Sequence, residues 1–245
     1  MVNYIGAVFF YFTLASASYY LFFVWKKERF YPATSMMTRD PKELARQVRT
    51  EIGIAMRSFP VMSVAFSPFT FGVTRGWSKM YHDVGDYGWG YFFLSIILFL
   101  VVTDCMIYWI HLGLHTNWMY QNVHKPHHTY RFTTPYSSHA FHWADGFAQG
   151  IPYYIFVYLF PLQSTLWLAL FMFVNFWTIM IHDQVDFTGH LHFIQSTGHH
   201  TIHHRDFKYN YGQYFTFWDY LNGTLRNSPR THDWHGNRVP EEKSK

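Results

Sequence analysis

Eight histidines form three clusters whose spacing suits metal binding. The two members of the first cluster lie four residues apart, and the second and third clusters have members at offsets of zero, three and four. Residues three and four apart share one face of a helix, so each cluster can aim two or three imidazoles at one point. The clusters are His111 and His115; His124, His127 and His128; and His200, His203 and His204.

The number of these imidazoles indicates more than one metal ion. Neutral imidazole binds zinc, copper, iron and nickel, and eight nitrogens exceed the four positions of one tetrahedral zinc ion. Two ions with open positions for oxygen or water account better for the number. His182, followed by Asp183, either completes this metal site or caps a helix. We expect no catalytic side chain beyond the metal ligands.

Other polar residues near the clusters are candidates for orienting the ligands or contacting a substrate. Asp104, Tyr108, His111 and His115 lie within one stripe of a helix, and a polar stripe beside an apolar span usually faces partners inside the protein. His139 and His142 are open to three interpretations: metal ligands, hydrogen-bond partners of ligands, or interface residues. The candidates from this reasoning are Asp104, Tyr108, His139, His142, Asp186 and His199.

The composition excludes several kinds of site. No glutamate occurs between Ile52 and Pro240, which excludes di-metal sites built from Glu-x-x-His helices and zinc hydrolases of the His-Glu-x-x-His kind. The single cysteine, Cys105, excludes an internal disulfide and a multi-cysteine metal or iron–sulfur site. The net charge of +4 comes without a long basic stripe, so we do not expect nucleic-acid binding.

The elements that must position these histidines are membrane helices. Of the 245 residues, 49% are hydrophobic and only 14% are charged, well below the roughly 25% of soluble domains. The mean hydropathy of −0.10 is modest because histidine and tyrosine are abundant. Uncharged stretches long enough for spans predict an all-α polytopic membrane bundle with about four spans and a cytoplasmic histidine-rich helical cap. These stretches are Val2–Trp25, Ser58–Thr74, Tyr87–Thr103 and Gly146–Ile181.

Two of these stretches carry the predicted topology. Ser58–Thr74 contains two prolines, which leaves a kinked span and a re-entrant segment as alternatives, whereas Gly146–Ile181 has Pro161 near its middle and indicates a helical hairpin. Residues 26–57 carry eight Lys and Arg against four acids, so the positive-inside rule places them, and with them the histidines and the carboxyl end, in the cytoplasm. The clusters would lie on the other side if Ser58–Thr74 did not cross.

We expect the chain to divide into three regions. Residues 1–90 form the anchor spans and the basic cytoplasmic loop, residues 91–229 the catalytic region with the histidine clusters, and residues 230–245 a polar tail. The charges of the first span follow it, which favours a retained anchor over a signal peptide.

Several motifs together resemble the sterol C5-desaturases of the membrane-bound fatty acid hydroxylase superfamily. The resemblance covers roughly residues 40–229, and the three histidine clusters in order, with the intervening sequence, carry it. The motifs are Gln47-Val-Arg-Thr-Glu-Ile52, His124-Lys-Pro-His-His128, Thr134-Pro-Tyr-Ser-Ser-His-Ala-Phe-His142, Asp145-Gly-Phe147, Pro152-Tyr153, Trp177-Thr-Ile-Met-Ile-His-Asp183 and Asn210-Tyr-Gly-Gln-Tyr-Phe-Thr-Phe-Trp-Asp219.

The resemblance implies a non-haem di-iron enzyme of the endoplasmic reticulum membrane. The eight clustered histidines correspond to the family's iron ligands, with His182 a further one, and Asn210 and Gln213 are added to the candidates near the site. The implied reaction is O2-dependent removal of two hydrogens from C5 and C6 of a Δ7-sterol. The implied electrons come from NADH or NADPH through cytochrome b5 and its reductase.

Two alternatives remain open from the residues. A sterol C4-methyl oxidase, or a fatty-acyl or sterol hydroxylase, shares the first hydrogen abstraction, so histidine spacing does not separate it from a desaturase. A histidine-rich membrane protein that stores or transports zinc is the alternative from another class. A transporter places its polar residues near the middle of several spans, whereas these clusters lie at span ends and beyond.

Overall fold

The computed structural model describes residues 2–30, 40–186, 188 and 191–227, and within them the chain is almost entirely helical. The fold class is all-α, as predicted. The polar tail predicted for residues 230–245 lies outside the described residues. The helices are α1 (Val2–Ser18), α2 (Lys27–Phe30), α3 (Pro41–Thr74), α4 (Gly88–Leu114), α5 (Asn117–Met119), α6 (Trp143–Leu159), α7 (Ser164–Met180), α8 (Thr197–Asp206) and α9 (Phe217–Leu221).

Three helices in the described part of the chain are long and apolar enough to cross a membrane. They are α1 with its π-helical continuation to Trp25, α3 and α4. Large apolar side chains on them, such as Phe9, Val64 and Ile97, are exposed, which suits a hydrocarbon surrounding rather than water. The helix predicted to carry the stripe from Asp104 to His115 is confirmed, since α4 continues the third span past Asp104 and ends at Leu114.

The prediction for the second span was wrong about where its helix begins. Residues 26–57 were expected as a loop, but α3 is continuous from Pro41 to Thr74 and includes Pro60 and Pro68. Asp40 caps its amino end by accepting a hydrogen bond from the Lys42 backbone N–H, and Pro41 occupies the first turn, where its missing N–H is harmless. At about 1.5 Å per residue, α3 is longer than a hydrocarbon core of ~30 Å, so one end projects beyond the membrane.

The hairpin predicted around Pro161 is formed by α6 and α7. Residues 160–163 connect the two helices, and aromatic contacts between Tyr154 and both Trp167 and Phe171 pack them together. A two-residue parallel pairing of β1 (Met80–Tyr81) with β2 (Leu162–Gln163) fastens this turn to the segment after α3. The hairpin therefore returns the chain after α7 to the side on which α6 began.

Two apolar clusters join the long helices. In the first, Phe99 of α4 and Phe156 of α6 are completely buried, and Val174 of α7 packs with them. In the second, Tyr11 of α1 and Phe59 of α3 pack edge to face. The helices thus form one bundle, and the ends of α4 and α7 lie where the histidine clusters follow.

Candidate metal centre

Nine histidines lie in two groups, and within each group one nitrogen of every imidazole is within 4.8 Å of the others. They are the eight clustered histidines and His182, so all nine of the predicted ligand candidates are brought together. Group 1 consists of His111, His115, His124, His128 and His203, and group 2 consists of His127, His182, His200 and His204.

Each cluster aims two imidazoles at one group, as predicted, and the remaining histidine of the second and of the third cluster faces the other group. His127 belongs to group 2 while its neighbour His128 belongs to group 1, because consecutive residues of the 3-10 turn His127–Thr129 point in different directions. On α8, His200 and His204 are one turn apart and face group 2, whereas His203 faces group 1. The second cluster and α8 therefore contribute to both groups.

Local structure explains why these segments present their histidines. The last turn of α4 carries His111 and His115, and a π-helical turn from Tyr120 to His124 leads into the second cluster. A capping box starts α8: the Ser196 hydroxyl accepts from the His199 backbone N–H, and the His199 ring accepts from the Ser196 backbone N–H. The helix can thus begin directly before its three ligand candidates.

The distances between facing nitrogens match those around bound metal ions. In group 1 the His128 Nε2 atom lies 3.0 Å from the His124 Nε2 and 3.2 Å from the His203 Nε2. In group 2 the His200 Nε2 lies 2.9 Å from the His182 Nε2 and 3.1 Å from the His204 Nε2. Two nitrogens bonded to one metal ion at about 2.0–2.1 Å lie roughly 2.9–3.4 Å apart at right-angled to tetrahedral bond angles. The spacing therefore fits a metal ion in each group.

The outer nitrogens of several rings are held by fixed acceptors. In group 1, Nδ1 of His111 donates to the Tyr211 carbonyl at 2.9 Å, and Nδ1 of His203 donates to the Tyr209 carbonyl at 2.8 Å. In group 2, Nδ1 of His182 donates to the Thr178 carbonyl at 2.6 Å. Nδ1 of His124 lies 2.7 Å from the Asp145 carboxylate, and both side chains are fully buried. Such partners fix the tautomer that turns the Nε2 lone pair inward, as they do for metal-bound histidines.

Burial keeps these imidazoles neutral. Desolvation lowers the pKa of His182 to about 3 and holds the pKa values of His127, His200 and His204 well below the usual value. At pH 7 their lone pairs are therefore available to a cation. The Nε2 of His111 is buried without a hydrogen-bond partner among the described residues. A buried acceptor of this kind is costly unless something binds it, so the residues fit a metal centre.

Asp104 and Asp219 fix the loop that closes the site. Asp104 Oδ1 accepts hydrogen bonds from three successive backbone N–H groups, those of residues 213–215. Asp219 accepts from the backbone N–H groups of Tyr211 and Gly212. Asp104 was among the predicted candidates, but Asp219 was not.

The other candidates surround the groups without joining them. Tyr108 is hydrogen-bonded to the Thr224 hydroxyl, His139 to Ser138 and Asn175, and His142 caps the amino end of α6. Asp186 accepts hydrogen bonds from Ser196 and Gly198, and His199 belongs to the capping box of α8. Asn210 donates to the carbonyls of His199 and Arg226, and Gln213 donates to Thr178. None of these side chains offers a ligand atom to either group.

Sequence reasoning missed the partners that orient the rings. Asp145 stands three residues after His142 in the first turn of α6, and although it belongs to the motif Asp145-Gly-Phe147 of the resemblance, it was not among the predicted candidates. The carbonyls of Thr178, Tyr209 and Tyr211 have no signature in the sequence, since every residue carries one. Only the fold shows which carbonyl meets which ring.

A cavity of about 420 Å³ leads from the histidines to the outer surface of the bundle. Its inner end is lined by histidines of both groups, including His111 and His182, and its walls are mainly apolar, with several aromatic rings among them. The exposed residues Ala7 of α1 and Leu168 and Met172 of α7 also line it, so it reaches the surface between those two helices. An apolar ligand can thus lie in the bundle with one end at the metal centre.

Comparisons with known proteins all point to one family. The sequence profile described as "Fatty acid hydroxylase" matches residues 96–224. Lathosterol oxidase of Rattus norvegicus is 42% identical over 230 residues, which are 92% of this chain and 74% of the relative. Lathosterol oxidase of Homo sapiens is 42% identical over 231 residues, 93% of this chain and 74% of the relative. A delta(7)-sterol 5(6)-desaturase of Schizosaccharomyces pombe is 39% identical over 226 residues, with coverages of 92% and 66%. No solved structure gives a significant match.

Proposed function

The chain belongs to the fatty acid hydroxylase family, and from this premise we propose that it introduces the C5–C6 double bond of a Δ7-sterol. The observation that carries the proposal is the mainly apolar cavity whose inner end is formed by histidines of both groups. The names of the related lathosterol oxidases and delta(7)-sterol 5(6)-desaturases support the same reaction. The protein is a multi-pass membrane enzyme, an oxidoreductase that acts on a membrane lipid.

We propose iron as the metal, with one ion in each histidine group. Imidazole nitrogens bind iron well, and the nitrogens of each group already lie at suitable distances from one another. The chemistry that two bound iron ions supply is the oxidation of an unactivated C–H bond with O2. Two electrons from the sterol and two from a donor reduce O2 to two waters, so the reaction balances.

The protein's own residues position the substrate and exclude water. Buried rings such as Tyr153 and partly buried ones such as Phe171 and Trp167 line the cavity, and wide aromatic faces suit a flat ring system. All nine histidine ligands fall within residues 91–229, which we propose as the catalytic region, with residues 1–90 as the anchor. The cavity also uses anchor residues, among them Phe10 and Phe59.

A sterol product assay tests the function. Purified protein or membranes are supplied with a Δ7-sterol, NADH, cytochrome b5 and its reductase, and the expected product is a 5,7-diene, recognised by its ultraviolet absorption and mass. An alcohol as the sole product would instead assign a C4-methyl oxidase or a hydroxylase. The absence of oxygen uptake that depends on sterol and reductant would leave the zinc-binding alternative.

We also propose that cytochrome b5 and its reductase deliver the electrons and that the histidines face the cytoplasm from the endoplasmic reticulum membrane. The first turns of α3 expose Lys42, Arg46 and Arg49, spaced to share one helix face. This end of α3 adjoins the metal centre, because Gln47 donates a hydrogen bond to the carbonyl of Phe132, shortly after His128. An acidic donor protein would be steered to such a face.

Changing these charges tests the donor site. The triple variant with glutamine at Lys42, Arg46 and Arg49 should slow electron transfer from cytochrome b5 and flatten its dependence on salt. Arg75, exposed at the opposite end of α3, is the matched control, and its glutamine variant should behave like the unmodified enzyme. An unchanged rate and salt dependence in the triple variant would contradict the docking site, and a loss of binding to anionic vesicles alone would assign these charges to lipid.

A further inference from the structure

The chemistry of a Δ7-sterol restricts where its single polar group can be bound. This inference rests on the proposed function. Only three bonds separate the 3-hydroxyl oxygen from C5, a distance shorter than one helical turn of about 5.4 Å. When C5 and C6 lie at the metal centre, the hydroxyl must therefore lie at the inner end of the cavity, whichever way the rest of the sterol points. A buried hydroxyl needs a hydrogen-bond partner there.

Three hydrogen-bonded pairs supply polar side chains to the cavity wall. Each pair joins two elements or two turns of one helix, and each has at least one member in the lining. The pairs are Gln213 with Thr178 at 3.0 Å, His139 with Asn175 at 3.1 Å, and Gln149 with Asp145 at 2.7 Å.

Gln213 is the member of these pairs that is linked to both metal groups. Its partner Thr178 accepts the Nδ1–H of His182, in group 2, through its backbone carbonyl. Two residues before Gln213, the carbonyl of Tyr211 holds His111, in group 1. The backbone of Gln213 is itself fixed, since its N–H donates to Asp104 and its carbonyl accepts from the Trp177 indole. Gln213 therefore lies at the inner end and in a fixed position.

The orientation of the Gln213 amide follows from the hydrogen bonds of Thr178. The Thr178 hydroxyl donates its only proton to the carbonyl of Val174 at 2.9 Å, so towards Gln213 it can only accept. The amide nitrogen Nε2 must therefore face Thr178, and Oε1 faces away from it. No described residue donates a hydrogen bond to this Oε1, which leaves a free acceptor on a residue that lines the cavity.

The other two pairs fit the hydroxyl less well. Both ring nitrogens of His139 are within hydrogen-bond distance of protein atoms, and Asn175 lies seven residues before His182, about 10 Å along the helix. Gln149 is bonded to Asp145, which contacts His124 on the side of the ring that faces away from group 1. These pairs are better placed beside the sterol than at its reacting end.

We propose that Oε1 of Gln213 accepts the hydrogen bond of the sterol 3-hydroxyl and that Thr178 holds the amide in place. Ring A then lies innermost, and the sterol side chain extends along α7 past Phe171 towards the opening at Leu168. Among the α7 residues that line this path, the polar Thr178 and Asn175 face its inner part, and the apolar Phe171 and Leu168 face its outer part. This order matches a substrate with one hydroxyl at its inner end and hydrocarbon elsewhere. Gln213 is thus a specificity-determining residue.

The test compares a Δ7-sterol with its 3-deoxy analogue, which lacks only the hydroxyl. The unmodified enzyme should prefer the hydroxylated sterol in kcat/KM by at least about tenfold, because a site built for a hydroxyl is left with an unpaired group by the analogue. Gln213→Leu should bring this ratio close to one while retaining turnover of the analogue. Gln149→Leu, which removes a second cavity glutamine, is the matched control and should keep the full ratio.

Two further measurements keep the outcome decisive. Thr178→Val preserves shape but removes the acceptor that orients the amide, and it should lower the ratio even if Gln213→Leu folds poorly. Equilibrium binding of the two radiolabelled sterols to the enzyme without reductant should show the same loss of discrimination in the absence of turnover. Undiminished discrimination in both variants would overturn the assignment of Gln213. If the unmodified enzyme neither converts nor binds a Δ7-sterol, the proposed function fails instead, and this inference fails with it.

Discussion

Nδ1 of His124 and a carboxylate oxygen of Asp145 are 2.7 Å apart, and neither side chain is exposed to solvent. The N–H of the ring donates to the carboxylate, which turns the other ring nitrogen towards the remaining members of group 1. A carboxylate in this position also strengthens the ring as a metal ligand. The pair therefore connects α6 to a metal site to which α6 supplies no ligand.

Replacing Asp145 by Asn should weaken metal binding in group 1. The amide keeps the size of the side chain but removes the negative charge, and losses of this kind reduce metal affinity by about tenfold to a hundredfold. Competition with a chelator measures the change for each ion. Asp206→Asn, at a surface ion pair with Arg205, is the control, and equal affinities in both variants would contradict the role of Asp145.

Single histidine replacements should separate the two groups. His203→Ala removes a ligand from group 1 and His200→Ala removes one from group 2, so each variant should bind about one metal ion where the unmodified protein binds two. Elemental analysis of the purified proteins gives these numbers, and turnover should fall at least about a hundredfold in both. His82→Ala alters an exposed histidine whose ring bonds the Ser164 hydroxyl, far from both groups in sequence, and it should change neither value. Two ions retained in both group variants would refute the ligand assignment.

Asp104 should be essential for the stability of the loop that carries Gln213. Its Oδ1 accepts three backbone N–H groups, and each buried N–H left without a partner costs about 1–3 kcal/mol. Asp104→Ala should therefore lower the free energy of unfolding by several kcal/mol, whereas Asp104→Asn, which keeps a carbonyl oxygen, should lower it less. Thermal unfolding in detergent ranks the three proteins. Equal midpoints for the Ala variant and the unmodified protein would show that the loop does not depend on this carboxylate.

His139 should make the protein sensitive to acid. Burial lowers the pKa of His139 to about 4, whereas the pKa is about 6.5 in an unfolded chain. Between these values the unfolded state binds a proton that the folded state does not, so stability is full above about pH 6.5 and falls as the pH drops towards 4. His139→Gln keeps a partner for Asn175 but does not titrate. The variant should gain stability relative to the unmodified protein across this window, and a constant difference from pH 7.5 to 4 would contradict the expectation.

Much of the fold follows from local features of the sequence. The hairpin was predicted because an uncharged stretch too long for one span carries Pro161 near its middle, and the structure places the turn there. The start of α3 was not predicted, because its charged first half lacks the apolar run that identifies a span. What shapes this half is burial against the segment after His128, where Gln47 and Glu51 are buried and bonded to Phe132 and Thr134. Such contacts between distant segments have no local pattern.

The candidate site was predictable in its members but not in its arrangement. Residue type and spacing identified the eight clustered histidines, because helical offsets of three and four concentrate imidazoles on one side, whereas His182 has no such partner and was left open between a ligand and a helix cap. The division between the groups depends on the direction of the turn at His127 and on how α8 lies between the two groups. The acceptors behind the rings are mostly backbone carbonyls, which become visible only in three dimensions.

The sharing of clusters between the groups has a consequence for biosynthesis. Neither group is complete until α8 has been synthesised, because group 1 needs His203 and group 2 needs His200 and His204. The hairpin of α6 and α7 must therefore already be inserted before α8 can meet the end of α4. Metal loading then follows translation and membrane insertion, and each bound ion closes a long chain loop whose closure entropy would otherwise favour the open state. An enzyme built in this way would mature in a single late step, with both ions dependent on the arrival of α8.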